Sequence, residues 1–201
     1  MNCPISIENT VCLGLLAKYW QPGQVKTRLA ASIGDDNAAA IYRRMIETVL
    51  QRLGQIEGDH LLAYSPADRS GPFEAVLPTG WRIEPQFGSD LGSRMETYFS
   101  RRFREGYERV ILLGTDSPDL PLAHVRTAMD ALITHDVVLG PCEDGGYYLV
   151  GARRRVPPIF GSIPWGTSEV WKATVDALRS SELVYATLEP WYDVDDEADY
   201  R

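Results

Sequence analysis

Short apolar runs recur along this chain, and segments with helical spacing lie between them. The runs are VCLGLLA (11–17), HLLAYS (60–65), RVILL (109–113), DVVLGP (136–141), YYLVG (147–151) and LVYATLE (183–189). Each has the length of a strand, and most are apolar throughout rather than alternating. That pattern suits strands buried on both faces. Residues 35–53 place Ala38, Tyr42, Met45, Ile46, Val49, Leu50 and Leu53 at helical spacing, with Gly54 as terminator. Asp90 is a candidate cap for a second helix carrying Leu91, Met95, Tyr98, Phe99 and Phe103 and ended by Gly106. Further helices are expected over about 122–134 and 167–178, whereas the Pro- and Gly-rich stretch 66–89 matches no element. The alternation predicts an α/β fold with a mostly parallel central sheet covered on both faces, in one domain spanning 1–201. Ligands of such sheets bind beyond the carboxyl ends of the strands.

Charge narrows the partners. Against 28 acidic residues stand 20 basic ones, a net charge of −8, which removes the usual electrostatic drive toward nucleic acid. VCLGLLA is too short to cross a membrane and lacks the basic start of a signal peptide. Cys3, Cys12 and Cys142 form no CxxC pair, and together with the missing leader they point to a reducing cytoplasm. Oligomeric state leaves no mark in the sequence.

Four stretches carry chemistry. In AKYWQPGQVKTRL (17–29), Lys18 ends the first strand, a Pro-Gly pair turns the chain, and Lys26, Thr27 and Arg28 arrive at a helix start. Cations, a hydroxyl and unpaired N–H groups together suit a phosphate. Lysine occurs only at 18, 26 and 172, so two in one loop carry weight. No GxxxxGK[ST] or GxGxxG is present. In GTDSPDL (114–120), Asp116 is placed to hold a hard divalent cation, while Asp119 either caps the next helix or fixes the loop. In GPCEDGGYYLVG (140–151), Glu143 and Asp144 either supply a general base or sugar contacts, or belong to a plain hairpin turn. In WYDVDDEAD (191–199), Asp193, Asp195 and Asp196 either complete a metal site or cap a terminal helix.

Taken in order, AKYWQPGQVKTRL, QFGSDLGSRM, GTDSPDLP, GPCEDGGYYLVG, IPWGTSEV and DVDDEAD resemble the bacterial nucleotide-diphospho-sugar-transferase-like proteins often described as arsenosugar-associated glycosyltransferases. More distantly the chain is similar to the guanylyltransferases of deazaflavin and molybdenum cofactor synthesis. The resemblance implies a GT-A fold, a Rossmann-like three-layer sandwich that binds a nucleotide and Mg²⁺ or Mn²⁺. It implies phosphate or nucleotide contacts at Lys18, Lys26, Thr27, Arg28, Gln86, Gly88, Asp90 and Arg94. Metal ligation falls to Asp116 with Asp193 or Asp195, catalytic roles to Asp144, Glu143 and Lys26, and a substrate-facing position to IPWGT. The chain departs from the family in carrying Trp20 where a proline is usual, and it lacks the relatives' close Gly-x-Gly. Glycosyl transfer from a nucleotide sugar to a small-molecule acceptor, nucleotidyl transfer from an NTP to a phosphorylated small molecule, and nucleotide binding without turnover all follow from such a site.

Overall fold

The computed structural model describes residues 11–201; Cys3 lies outside the described residues. Seven strands form one sheet: β1 (Val11–Lys18), β2 (Asp59–Ser65), β3 (Trp81–Pro85), β4 (Arg109–Leu113), β5 (Val137–Pro141), β6 (Tyr147–Arg153) and β7 (Tyr185–Thr187). Their order is β3-β2-β1-β4-β6-β5-β7. All neighbours are parallel except at β6, which runs antiparallel to both β4 and β5. The helices are α1 (Thr27–Ile33), α2 (Asp35–Leu53), α3 (Ser70–Glu74), α4 (Leu91–Arg104), α5 (Leu122–Ala131), α6 (Val170–Ser180) and α7 (Glu197–Tyr200).

Period-two geometry divides the apolar runs between two cores. Leu13, Leu15 and Ala17 of β1 pack with Ile46 and Leu50 of α2 and Val125 of α5. Cys12 faces the other way, toward Met95, Tyr98 and Phe99 of α4 and Leu178 of α6. The result is the expected three-layer α/β sandwich. No described helix is long and apolar enough to cross a membrane.

Several boundaries differ from the sequence reading. Stretch 66–89 contains both α3 and β3. Helix α5 stops at Ala131 and continues as turns, and α6 begins at Val170 because Thr167 makes a local turn: its hydroxyl donates to Pro164 O (2.8 Å) and accepts from Glu169 N (3.3 Å). Only Tyr185–Thr187 of the last apolar run pairs as a strand. Gly54 ends α2 in a right-handed conformation (φ −59°) rather than a left-handed cap.

Gly14 shows how closely the second core is packed. A Cβ there would lie 2.1 Å from Tyr98 Oη and 2.9 Å from Leu112 Cδ1. Tyr98 is buried and also touches Cys12 Sγ at 3.5 Å, so it has nowhere to retreat. Gly14→Ala is expected to cost about 1–3 kcal/mol through overpacking. Urea denaturation checks this, and an unchanged midpoint would refute the clash.

Candidate active site

The strand order reverses at β1. From β1 the chain builds outward through β2 to β3, then returns to place β4 on the other side of β1. A crevice at the carboxyl ends of β1 and β4 is the consequence, and the chemistry-bearing loops collect there. They line a cavity of about 730 Å³ and an adjoining one of about 270 Å³ that share Lys18, Arg28, Tyr42, Asp116 and Asp195.

Loop β1–α1 supplies the cations. Lys26 adopts a left-handed backbone (φ 45°, ψ 48°) directly before α1, uncommon for a residue with a side chain. Its side chain is only 5% exposed, and Nζ contacts Asp116 Oδ1 and lies 2.9 Å from Asp195 Oδ1. Burial disfavours the charged ammonium, but Asp116 and then Asp195 outweigh it and raise the Lys26 pKa above its ordinary value. Arg28 is exposed and approaches Asp195 at 3.6 Å. Lys18 Nζ donates to Gln24 O (2.8 Å) within the loop. Thr27 is exposed and lines the smaller cavity. Below them, Tyr42 of α2 bonds Thr115 Oγ1 (3.0 Å) and accepts from Lys18 N (3.3 Å), joining the ends of β1 and β4. Trp20 packs on Phe73 (5.0 Å between rings), and the Arg43 guanidinium lies over the Trp20 ring at 5.4 Å.

Three sets of bonds lace the two acidic loops together. Val194 N donates to Asp116 O (2.8 Å), and Ser117 Oγ donates to Asp193 Oδ1 (2.5 Å). Asp119 accepts from Trp191 Nε1 (3.2 Å) and from the Tyr192 hydroxyl. Asp119 therefore does not cap α5, whose first turn follows Pro121 with no side-chain cap. It anchors the neighbouring loop instead. Asp195 and Asp196 diverge: Asp195 faces Lys26, while Asp196 caps α7 by accepting from Ala198 N (2.7 Å) and Asp199 N (3.2 Å).

The segment EDGG is a hairpin connection between β5 and β6, and it also delivers Asp144 to the large cavity. Glu143 is exposed and outside the cavity lining. Ligand atoms of Cys142, Asp144 and Asp193 lie within 4.8 Å of one another. Burial, reinforced by Asp193, pushes the Cys142 thiol far up, so it stays protonated. Burial also raises Asp193 despite hydrogen bonds from Ser117 and Cys142. A neutral thiol is a poor donor for Mg²⁺, which prefers oxygen. Asp116 and Asp195 fit such a cation better: both are hard donors, both border the cavity, and one ammonium already reaches both.

On the opposite wall, Gln86 Nε2 donates to Ala17 O (3.0 Å) and Ala63 O (2.9 Å), clasping β1 to β2. Arg94 donates to Gln86 Oε1 and Gly88 O, each at 3.2 Å. Gln86 and Arg94 line the cavity; Gly88 and Asp90 do not. Asp90 caps α4, accepting from Ser93 N (2.8 Å), and that bond holds its carboxyl below the ordinary range. Sequence reasoning missed Tyr42, Thr115, Ser117 and Cys142. Tyr42 gave only a core-helix signal, and the other three adjoin acids that drew the attention.

Comparison with known proteins agrees with this architecture. Residues 46–167 match the family model DUF2064, described as an uncharacterized protein conserved in bacteria. A protein from Desulfovibrio desulfuricans G20, described as a "putative nucleotide-diphospho-sugar transferase", is 38% identical, with a TM-score of 0.88 over 94% of this chain and 83% of that one. CMP:2-keto-3-deoxy-manno-octonic acid synthetase in complex with CTP shares the fold at 14% identity and TM-score 0.61, covering 94% of each chain. Rv0371c from Mycobacterium tuberculosis H37Rv, in complex with manganese, shares it at 16% identity and TM-score 0.56, covering 95% of this chain and 96% of that one. No curated protein matches. On the family match and the 38% relative, the chain belongs to the DUF2064 family of bacterial proteins.

Proposed function

We propose that this protein is a divalent-cation-dependent transferase that binds a nucleotide-diphospho-sugar in the β1/β4 crevice and moves its sugar to a small-molecule hydroxyl. One observation carries the reading. Cations (Lys18, Lys26, Arg28) and carboxylates able to hold a metal (Asp116, Asp195) border one cavity at the sheet's switch point. The description of the 38% identical relative supports it. Two described cysteines, Cys12 and Cys142, are free and buried, in keeping with a reducing cytoplasm.

Lys18 and Arg28 meet the diphosphate, and Lys26, buried between two carboxylates, fixes the geometry of the acid pair. Mg²⁺ or Mn²⁺ held by Asp116 and Asp195, with Asp193 nearby, would supply positive charge against the departing diphosphate. Asp144 takes the proton of the acceptor hydroxyl as the hydroxyl oxygen bonds to the sugar and the nucleoside diphosphate leaves. A second reading, nucleotidyl transfer, is favoured by the concentration of cations at one end of the cavity, which also suits a pyrophosphate leaving group.

A thermal-shift panel tests both. Nucleoside diphosphates, their sugar conjugates and nucleoside triphosphates are each added with and without MnCl₂. A ligand at a hundred times its Kd adds about 2.7 kcal/mol to the native state, read as a rise of several degrees that is larger with Mn²⁺. No shift with any nucleotide would sink both readings. Pyrophosphate release from an NTP with a sugar phosphate would select nucleotidyl transfer, and release of a nucleoside diphosphate from its sugar conjugate would select glycosyl transfer.

A further inference from the structure

The larger cavity has a chemically mixed lining. Besides the cations Lys18, Arg28 and Arg94, its lining holds Tyr147, Trp165, Leu91 and Val170, with Asp144 among them. Trp165 is half-buried and meets Tyr147 edge-to-face, 6.0 Å between rings at 85°. Leu91, the first residue of α4, lines the same cavity and is 44% exposed.

Two glycines shape this wall. A Cβ on Gly92 would lie 2.4 Å from Trp165 Nε1 and 2.3 Å from Phe160 O, so only glycine lets the indole lie against the first turn of α4. Gly145 has φ +92°, and a Cβ there would meet Ser168 O at 2.4 Å; Trp171 N donates to Gly145 O at 2.8 Å. Three sequence motifs, DLG, EDGG and IPWGTS, therefore meet at one place and hold one aromatic pair beside one carboxylate. Asp144 is exposed, with Oδ1 accepting from Gly146 N (2.9 Å).

We infer that Trp165 and Tyr147 form the platform for the sugar of the bound ligand, beside Asp144, where the acceptor hydroxyl meets it. A pyranose presents an apolar C–H face and a hydroxylated rim, and an aromatic plate edged by a hydrogen-bond acceptor complements both. Lys18 and Arg28 are the phosphate partners of the reading above, which leaves the aromatic pair for the group the phosphates carry. The inference rests on the nucleotide reading above and goes beyond it by assigning the specificity for the sugar to Trp165.

Calorimetric titration with paired ligands in MnCl₂ tests it: UDP against UDP-glucose, GDP against GDP-mannose, and ADP against ADP-glucose. Wild-type protein is expected to bind one sugar conjugate about tenfold more tightly than its diphosphate, the scale of one aromatic contact. Trp165→Ala should erase that preference while changing diphosphate affinity by less than about twofold. Trp165→Phe should restore part of it, and Gly92→Ala, which displaces the indole without removing it, should behave as Trp165→Ala; thermal melts establish that each variant is folded. Equal weakening of diphosphate and conjugate by Trp165→Ala would overturn the inference in favour of a wall for the base or phosphates. An unchanged preference in that variant, or wild-type protein that binds diphosphates without preferring a conjugate, would overturn it alone. Failure to bind any nucleotide would overturn the proposed function as well.

Discussion

Asp116→Asn is expected to stay folded and to lose the additional thermal stabilisation that Mn²⁺ confers on the nucleotide complex, with turnover falling by about 10³-fold or more. The Asp116 side chain is 42% exposed, and the buried Lys26 ammonium that pairs with it keeps Asp195 Oδ1 at 2.9 Å, so the fold is expected to survive the loss of one charge. The loop itself is held by backbone and neighbours: Val194 N bonds Asp116 O, and Ser117 bonds Asp193. Asparagine keeps the shape and one acceptor oxygen, but it offers a hard cation a neutral ligand in place of an anionic one. The nucleotide contacts proposed for Lys18 and Arg28 are left in place, so binding without metal should survive the change. A Mn²⁺-dependent shift equal to that of wild type would remove Asp116 from the cation site.

Much of this site was readable in the sequence because its parts follow strands. Lys18 ends β1, Asp116 lies three residues beyond β4, and an apolar run followed by a charge marks the sheet's edge without knowledge of strand order. The order itself was less legible. An antiparallel β6 wedged between β4 and β5 follows from the short EDGG connection, but nothing local says which partner β6 takes on its other side. The hairpin and functional readings of EDGG turned out to be compatible, since the turn that reverses the chain also carries Asp144 to the cavity.

Helical spacing was informative about faces and less so about individual positions. On α4 it assigned Leu91 to the core, yet Leu91 lies at the cavity wall, while Arg102 of the same helix is 1% exposed. Arg102 reaches that depth because Glu105 (2.6 Å) and Glu84 (3.2 Å) pair with it, and Glu84 comes from a strand in the stretch that had no assignment. A partner distant in sequence made a buried charge tolerable, which a periodicity cannot register. The same applies to Asp119. Helix capping is a local rule and left Asp119 open between a cap and a loop anchor, because the partners that decide it, Trp191 and Tyr192, lie more than seventy residues away.

Substitution of Lys26 should separate the strain in its backbone from the function of its ammonium. At φ 45° the residue holds a left-handed conformation that costs roughly 1–2 kcal/mol for a side chain and nothing for glycine. Lys26→Gly and Lys26→Ala both delete the charge that orders the acid pair, so both are expected to lose turnover by about 10²–10³-fold, the scale of losing one preorganised charge in a site. Their stabilities should differ, with the glycine variant melting higher because it alone adopts the loop without strain. Both variants leave Asp116 and Asp195 facing each other with no ammonium between them. Two converging carboxylates without the ammonium between them bind a metal more readily, so Mn²⁺ affinity in the absence of nucleotide should rise in both, as measured by calorimetry or by the paramagnetic resonance of free Mn²⁺. Unchanged Mn²⁺ affinity would mean that Lys26 and the metal do not share these carboxylates. Equal melting temperatures for the two variants would mean that the loop relaxes once the ammonium is gone, and that the Lys26 contacts themselves hold the backbone in its left-handed turn.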